Sequence, residues 1–240
     1  MLKETVEIKV DYEKAGVSGE GCAPVLDCYY NTLTEEIGRK RHKAVIICPG
    51  GGYDWCSERE AEPIAFRFLG AGICSFVLRY SCYKKKFPTD VLECAAAVKY
   101  VRDNAEKFDI DPDKIIVCGF SAGGHLAATM ANFWNSELLT KPLGCKPEDI
   151  KVNGSILGYP VITSDPEYTH EGSILNLIGE EKSPELRELV SMEKRVSENT
   201  PPTFIWHCAD DGCVRVENSL WYMCSLSKYH IPFESHIYEY

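Results

Sequence analysis

The chain has 240 residues, of which 45% are hydrophobic and 26% are charged. This composition is typical of a folded globular protein and excludes fibrous and disordered chains. The formal net charge of -10 would repel the phosphate backbone of nucleic acids, so we expect no nucleic-acid partner. The sequence contains no run of about 18 apolar residues, so we expect no membrane span. The amino-terminal sequence lacks a signal-peptide pattern, so we expect a cytoplasmic protein.

Twelve cysteines lie scattered through apolar runs of the sequence. Because disulfide frameworks belong mainly to short secreted chains, we predict buried reduced thiols instead. No Cys-x-x-Cys pair occurs, and the six histidines show no metal-ligand spacing. We therefore expect no metal site.

Short β-rich runs alternate with longer amphipathic runs, a pattern typical of helices packed on a mainly parallel sheet. Two amino-terminal runs predict antiparallel edge strands, at residues 6–10 and 24–30. Mostly apolar, β-branched runs bounded by Gly, Pro or charge predict central strands covered on both faces. These strands are predicted at residues 43–48, 73–80, 114–118, 152–159 and 203–208, with a last strand at 234–240.

Helices are predicted between these strands by the period of the apolar residues, at residues 60–69, 90–107, 122–133 and 216–228. Asp90 followed by Glu93 resembles a capping box at the start of the second helix. Residues 163–202 are polar and carry Ser-Pro and Thr-Pro-Pro. We interpret them as a small insertion over the sheet edge, before the penultimate strand of a single domain covering residues 1–240.

The strongest local motif is G-x-S-x-G at residues 119–123, which follows a predicted strand and precedes a predicted helix. That context is the one a nucleophile elbow requires, because Gly119 and Gly123 leave room for a tight turn. The turn would present the Ser121 hydroxyl at the carboxyl end of the sheet. We therefore predict Ser121 as a nucleophile.

A run of three glycines, Gly50 to Gly52, closes the strand predicted at residues 43–48. Acyl transfer needs free N–H donors for the charge on the tetrahedral intermediate. We predict that Gly51 and Gly52, with Ala122 after the nucleophile, supply these oxyanion donors. The alternatives are a phosphate cradle or a plain turn. No G-K-[ST] follows the glycines, which weakens the case for nucleotide binding.

The acid of a catalytic triad is expected at the end of a later strand, in the order Ser, Asp, His. Asp210 and Asp211 both follow the strand predicted at residues 203–208. We favour Asp211, which directly precedes Gly212. The alternative role for Asp210 is a carboxylate that caps the loop. A triad aspartate holds the imidazole tautomer and stabilises the imidazolium.

The histidine of the triad is the difficult assignment. His236 is the only histidine in the last predicted strand, but a residue in mid-strand points onto a sheet face and not over its carboxyl end. We interpret His125 as a packing or hydrogen-bonding residue and His207 as a core residue. His170, in the insertion, is a candidate for substrate contact.

These motifs resemble those of α/β-hydrolase esterases of the acetyl esterase and acetyl xylan esterase type, which are related to the lipases with an HGGG loop. The resemblance covers residues 44–240 and rests on residues 49–53, 57–63, 119–125, 158–160 and 206–214. It implies an α/β-hydrolase fold, with a mainly parallel sheet of about eight strands flanked by helices. It assigns Ser121 as nucleophile, Asp211 as acid, and Gly51, Gly52 and Ala122 as oxyanion donors, with no metal and no other cofactor.

This sequence departs from the family pattern in two places. Pro49 stands where many relatives have histidine, which leaves the backbone donors untouched. In the family a Gly-x-His-Gly turn follows the last strand, whereas this sequence ends at Tyr240. The resemblance therefore implies that the general base lies just beyond Tyr240 and that the carboxyl-terminal end is truncated.

Together the motifs and the resemblance predict a carboxylic ester hydrolase that removes short acyl groups, above all acetyl, through an acyl-enzyme. The expected substrate is a small ester, an acetylated sugar or xylo-oligosaccharide; the oligomeric state is left open. One alternative is a catalytically inactive protein of hydrolase fold that acts in binding. Another is a serine peptidase of the prolyl oligopeptidase type, which shares G-x-S-x-G-G.

Overall fold

Eight strands form one sheet in the part of the chain that a computed structural model describes, residues 1–34, 36, 41–180 and 183–240. The strand order is β1-β2-β4-β3-β5-β6-β7-β8. The strands are β1 (Leu2–Glu7), β2 (Val25–Tyr30), β3 (His42–Cys48), β4 (Ile73–Arg79), β5 (Ile110–Phe120), β6 (Gly154–Gly158), β7 (Thr203–Cys208) and β8 (Phe233–Tyr238).

The sheet is antiparallel only at its amino-terminal edge, where β2 lies between β1 and β4. All other neighbours are parallel. The predicted mainly parallel sheet of eight strands is therefore confirmed. The first strand differs from its predicted position, residues 6–10, because its pairing runs from Leu2 opposite Tyr30 to Glu7 opposite Val25 and ends where β2 begins.

Eight α-helices connect the strands or cover the sheet in the described part of the chain. They are α1 (Glu62–Gly70), α2 (Thr89–Asp103), α3 (Ala122–Phe133), α4 (Glu137–Leu143), α5 (Pro147–Ile150), α6 (Glu171–Ile178), α7 (Pro184–Leu189) and α8 (Glu217–Lys228). Within the predicted insertion at residues 163–202, the described residues form α6, α7 and a 3-10 helix at Met192–Lys194. No helix in the described ranges has the length and apolarity needed to cross a membrane.

The capping box predicted at Asp90 and Glu93 is wrong. Helix α2 begins one residue earlier, at Thr89, and no side chain caps it. Both carboxylates are buried. The Glu93 carboxylate accepts hydrogen bonds from the Tyr12 hydroxyl at 2.7 Å and the Ser81 N–H at 2.6 Å. The Glu93 carboxylate therefore makes tertiary contacts that the local sequence pattern does not reveal.

The twelve cysteines differ in burial according to their position in the fold. All twelve are free thiols. Five are buried in strands or in α2, as predicted: Cys28, Cys48, Cys74, Cys94 and Cys118. The prediction of burial is wrong for the other seven, of which five are half-buried and two, Cys213 and Cys224, are exposed. These seven lie in loops, at the end of β7 or on α8, where apolar neighbours in sequence do not imply burial.

The register of the parallel strands gathers four loops at one edge of the sheet. Cys48 at the end of β3 lies opposite Gly119 of β5, Phe120 lies opposite Gly158 of β6, and Gly158 lies opposite Trp206 of β7. The carboxyl ends of these strands therefore meet. In open α/β sheets this edge is where ligands bind.

Candidate active site

Ser121 occupies the sharp turn between β5 and α3. Its φ of 53° and ψ of -122° are strained for a residue with a side chain and cost about 1–3 kcal/mol. A Cβ on Gly119 would lie 2.0 Å from the Gly123 carbonyl oxygen, and a Cβ on Gly123 would lie 2.1 Å from the Cys48 carbonyl oxygen. Only glycine fits at either position, so the motif is required by close backbone packing.

A cavity of about 430 Å³ opens beside Ser121 at the carboxyl edge of the sheet. Asp211 lies on its wall, whereas Asp210 does not. Trp55 is 60% exposed at the same cavity. The other lining residues are Gly51, Gly52, Asp54, Ser57, Arg59, Glu60, Tyr159, His170, Gly172, Asn176, Cys213 and Val214. The structure thus brings the predicted nucleophile, the predicted acid and two of the predicted oxyanion donors to one cavity.

The predicted oxyanion donors have N–H groups available for a ligand. Ala122 is the first residue of α3, so its N–H has no partner within the helix. Neither Gly51 nor Gly52 donates a backbone hydrogen bond to another described residue. Gly51 has a φ of 123°, and a Cβ there would lie 2.1 Å from the Trp55 carbonyl oxygen. The loop therefore closes tightly on itself after Gly51.

Glu60 fixes the start of this loop. One carboxylate oxygen of Glu60 accepts the Gly50 N–H at 2.7 Å, and the other accepts the Tyr159 hydroxyl at 2.9 Å. Burial and the same carboxylate raise the pKa of the Tyr159 hydroxyl, so Tyr159 stays a neutral donor. Glu60 thus links the glycine loop after β3 to the turn after β6.

Two further side chains hold carbonyl groups of the glycine loop. The Asn176 side-chain amide in α6 donates to the Gly52 carbonyl at 2.9 Å. The Tyr80 hydroxyl, after β4, donates to the Pro49 carbonyl at 2.7 Å. Because its carbonyls are held from outside, the loop can direct N–H groups into the cavity without rearrangement. Donors fixed in this way stabilise developing charge at little reorganisation cost.

Asp211 is held by its own loop. One of its carboxylate oxygens accepts the N–H groups of Cys213 at 2.8 Å and Val214 at 2.9 Å. The other oxygen lies 3.6 Å from His207 Nε2. In the described ranges no group of three or more His, Cys, Asp or Glu residues is placed to hold a metal ion. Asp211 is therefore positioned as a hydrogen-bond acceptor at the cavity wall.

His207 and His125 are structural residues, as predicted. The Nε2–H of His207 donates to the Val214 carbonyl at 2.8 Å, and its Nδ1 accepts from the Ser219 hydroxyl. His125 donates from Nε2 to the Val190 carbonyl at 2.7 Å and accepts from the Tyr53 hydroxyl at Nδ1. Burial lowers the pKa of both rings, to about 4 for His125. Because both nitrogens of each ring are occupied, neither histidine can take a proton from Ser121.

His170 lies at the cavity but caps α6. Its Nδ1 accepts the Ser173 N–H at 3.3 Å and lies 2.8 Å from the Ser173 hydroxyl oxygen. With Nδ1 accepting, the neutral ring carries its proton on Nε2, so it acts as a donor and not as a base. His170 thus lines the cavity, and its contact with substrate stays a prediction.

His236 lies on a face of β8, where its Nε2 is 2.9 Å from a Glu234 carboxylate oxygen and its ring packs on Phe204. It does not line the cavity. His42 begins β3 at the opposite end of the sheet, and His230 precedes β8. Ser121 Oγ consequently has no histidine partner among the described residues.

The sequence patterns missed the residues that hold the glycine loop. Glu60 and Tyr159 lie in segments that carried the family resemblance, but nothing local indicates that they meet. Asn176 lies 124 residues from Gly52, with which it bonds. Trp55 had a weak signal, as a large aromatic residue only three positions after the glycines. Such contacts become visible only when the carboxyl ends of distant strands are brought together.

Comparisons with known proteins identify a family and relatives of this chain. A model of the BD-FAE family matches residues 26–224. The chain is 35% identical to endo-1,4-beta-xylanase B of Butyrivibrio fibrisolvens over 206 residues, which cover 82% of this chain and 32% of that protein. It is 33% identical to an acetylxylan esterase of Xylanibacter ruminicola over 178 residues, 72% of this chain and 35% of that protein. The chain thus spans about a third of the length of these relatives.

A solved structure is similar over nearly the whole chain. The acetyl ester-xyloside bifunctional hydrolase from Caldicellulosiruptor lactoaceticus superposes with a TM-score of 0.86 at 33% identity, covering 99% of this chain and 86% of that one. The family model alone covers well over half of the chain. The protein therefore belongs to the BD-FAE family and has the α/β-hydrolase fold.

Proposed function

We propose that this protein is a carboxylic ester hydrolase that removes acetyl groups from xylose-based sugars, with Ser121 as its nucleophile. The observation that carries the proposal is the strained Ser121 turn beside unpaired N–H groups in one cavity. The acetylxylan esterase and the acetyl ester-xyloside hydrolase among its relatives support acetylated sugars as the substrate class.

The chemistry follows from the placement of these groups. Ser121 Oγ attacks the acetyl carbonyl, and the N–H groups of Gly51, Gly52 and Ala122 hold the oxyanion that forms. Collapse of this intermediate breaks the bond to the sugar oxygen, and the sugar leaves with a proton as an alcohol. Water then attacks the acetyl-serine, and the same donors hold the second oxyanion before acetate and free Ser121 are released.

The proton that leaves Ser121 requires a base, and none of the six histidines is available for it. We propose that the base is a histidine on a segment that follows β8. The end of β8 supports this, because the Ala209 N–H donates to the Tyr238 carbonyl at 2.7 Å. The carboxyl end of β8 therefore lies beside the loop that holds Asp211, which would orient such an imidazole.

The test measures hydrolysis of ethyl acetate and acetylated xylobiose by three chains. These are the 240-residue chain, a chain extended after Tyr240 by Gly-Pro-His-Gly, and a matched extension with Gly-Pro-Asn-Gly. We expect the histidine extension to raise kcat/KM by at least about 10³-fold over the other two. Ser121→Ala in the extended chain should abolish that gain. Hydrolysis unaffected by Ser121→Ala would refute the assignment of the nucleophile.

A second candidate function is binding without turnover, and the occupied histidine nitrogens favour it. In that case no version of the chain hydrolyses either ester, while the 240-residue chain still binds acetylated xylobiose in calorimetry. Release of proline-containing dipeptides without ester hydrolysis would instead support a peptidase.

We also propose that the protein works in the cytoplasm. Twelve free thiols, two of them exposed, support a reducing compartment. Fractionation of the source cells, followed by detection of the protein with an antibody, tests this directly.

A further inference from the structure

Two pairs of cysteines bring their sulfur atoms close together in this fold. Cys56 Sγ lies 3.8 Å from Cys82 Sγ, and Cys48 Sγ lies 3.9 Å from Cys94 Sγ. The pairs differ in exposure, because Cys56 and Cys82 are half-buried whereas Cys48 and Cys94 are fully buried. Only the first pair is open to a reagent in solution.

The half-buried pair lies on the loop that carries the predicted oxyanion donors. Cys56 directly precedes Ser57, whose N–H donates to the Gly50 carbonyl at 2.9 Å. It directly follows Trp55, whose carbonyl packs against Gly51. The segment of Cys82 is tied to the same loop, because the Tyr83 N–H donates to the Tyr53 carbonyl at 2.8 Å. A change at the two sulfurs therefore acts on the loop from both sides.

We propose that Cys56 and Cys82 form an oxidation site, at which a low-molecular-weight disulfide converts the two thiols into an intramolecular disulfide that displaces the glycine loop. The sulfurs need to approach from 3.8 Å to about 2.05 Å. The motion is small, but the loop is held by fixed hydrogen bonds on both sides of Cys56. A displacement of about 1 Å at a catalytic group is enough to reduce a rate by about 10²-fold.

The reaction proceeds in two exchanges. Cys56, as the thiolate, attacks one sulfur of glutathione disulfide, forms a mixed disulfide and releases one glutathione thiolate. Cys82 then loses its proton and attacks the Cys56 sulfur, which forms the internal disulfide and releases the second glutathione. The two protons lost by the protein thiols are taken up by the two glutathione thiolates, so two thiols are oxidised and one disulfide is reduced.

The surroundings favour Cys56 as the attacking sulfur. A hydrogen bond from the Cys82 thiol lowers the pKa of Cys56, and the nearby Arg79 acts in the same direction. The Cys56 side chain and burial hold the pKa of Cys82 well above its usual range, so Cys56 ionises first. By contrast, the Cys94 thiol and burial raise the pKa of Cys48 well above its usual range. The buried pair is therefore a built-in control.

Peptide mapping tests the site independently of the enzymatic activity. After treatment with glutathione disulfide and digestion with trypsin, a Cys56–Cys82 bond joins residues 44–59 to residues 80–84, whereas a Cys48–Cys94 bond joins residues 44–59 to residues 87–99. We expect the Cys56–Cys82 product and not the Cys48–Cys94 product. Absence of the Cys56–Cys82 product, in protein that forms other disulfides under the same treatment, would overturn the proposal.

Ester hydrolysis tests the effect on the loop, and this readout rests on the proposed function. We expect oxidation to lower the rate of ester hydrolysis at least about tenfold and dithiothreitol to restore it. Cys56→Ser, which lacks the attacking thiol, should keep its activity under the oxidant, while Cys94→Ala should respond like the unsubstituted protein. An internal disulfide with unchanged activity, or an equal loss in Cys56→Ser, would overturn the coupling.

A protein that hydrolyses no ester before oxidation would contradict the proposed function and not the oxidation site. In that case the emission of Trp55, beside Cys56, reports on the loop, with Trp55→Phe subtracted to isolate its contribution. A reversible emission change that is absent in Cys56→Ser supports the proposal, and an unchanged emission overturns it.

Discussion

The two walls of the cavity are held in different ways. The wall formed by the glycine loop is fixed by Glu60, Tyr80, Tyr159 and Asn176, which come from separate parts of the chain. The opposite wall is formed by Asp211, which is held by N–H groups two and three residues away. The groups proposed to stabilise charge therefore depend on the whole fold, whereas Asp211, proposed to orient the base, depends on one short loop.

This difference separates two contributions to catalysis. The glycine loop is held independently of Asp211, because its hydrogen bonds to Glu60, Tyr80 and Asn176 do not involve that residue. Asp211, in turn, has no imidazole to orient among the histidines of this chain. In the proposed mechanism, oxyanion binding and base catalysis therefore depend on separate parts of the same sheet edge.

The largest predicted effect concerns the wall of Asp211. In the chain extended with Gly-Pro-His-Gly, we expect Asp211→Asn to lower kcat by about 10⁴-fold, because the added imidazole loses its orienting carboxylate. In the 240-residue chain the same change should lower kcat by less than about threefold. Steady-state kinetics on ethyl acetate measure both. A large loss in the shorter chain would show that Asp211 already serves a base within it.

The next effect concerns the contact between the Ser121 turn and the glycine loop. We expect Gly123→Ala to lower activity by at least about 10²-fold, because its Cβ would lie 2.1 Å from the Cys48 carbonyl oxygen and 2.4 Å from that of Pro49. Gly70→Ala is the matched control, since its Cβ would meet no atom within 4 Å. Hydrolysis rates and thermal unfolding are compared for both variants. Equal effects would contradict the role of close packing.

A smaller effect is expected at the carboxylate that holds the loop. Glu60→Ala should lower kcat by about tenfold with little change in KM, because a misplaced loop weakens binding of the transition state more than binding of the substrate. Glu60→Gln keeps an oxygen for the Gly50 N–H and should restore most of the rate. Tyr159→Phe should cost less, since it removes one bond to the carboxylate and leaves the loop contact intact. A rise in KM alone would assign Glu60 to substrate binding.

The smallest predicted effect concerns the pH dependence of the stability that His125 contributes. This residue supports the loop through Tyr53. Its folded-state pKa of about 4 lies below the ordinary value of about 6.5, so the unfolded chain binds the extra proton as the pH falls. Its contribution is therefore complete above about pH 6.5 and is lost toward pH 4.

The free energy of unfolding tests this sign with His125→Gln, which keeps both hydrogen bonds but does not titrate. Burial raises the pKa of Asp90 to about 7, which acts in the opposite sense. The result is therefore taken as the difference between variant and unsubstituted protein. We expect this difference to change by up to about 1.4 kcal/mol per pH unit between pH 4 and 6.5. A difference that stays constant would contradict burial as the cause.

The parts of the structure that the sequence predicted are those with local causes. The buried parallel strands are apolar along their whole length because both faces are covered. The Ser121 turn is predictable because its glycines, its strand and its helix are contiguous. The start of α2 was misassigned because Asp90 and Glu93 are buried by distant residues, Tyr12 among them. Local capping rules assume that such side chains are free to fold back on their own helix.

The side chains that hold the glycine loop could not be predicted for a related reason. Each contact joins residues that are far apart in sequence, and no periodicity connects them. Glu60 and Tyr159 are 99 residues apart, although their side chains are hydrogen-bonded. The sequence assigns His125 and His207 to packing or core roles only from their positions, whereas the hydrogen bonds to both ring nitrogens of each residue supply the physical reason.

The distant contacts of the glycine loop also bear on how the protein folds. The loop reaches its final form only when β4, the turn after β6 and α6 are all in place, because Tyr80, Tyr159 and Asn176 hold it. Closing such long loops of chain is slow compared with forming helices and hairpins. During refolding, the capacity to bind an oxyanion should therefore return after the circular-dichroism signal of the sheet and helices. On the ribosome, this loop would stay unfinished until α6 has emerged, some 120 residues after the glycines have been synthesised.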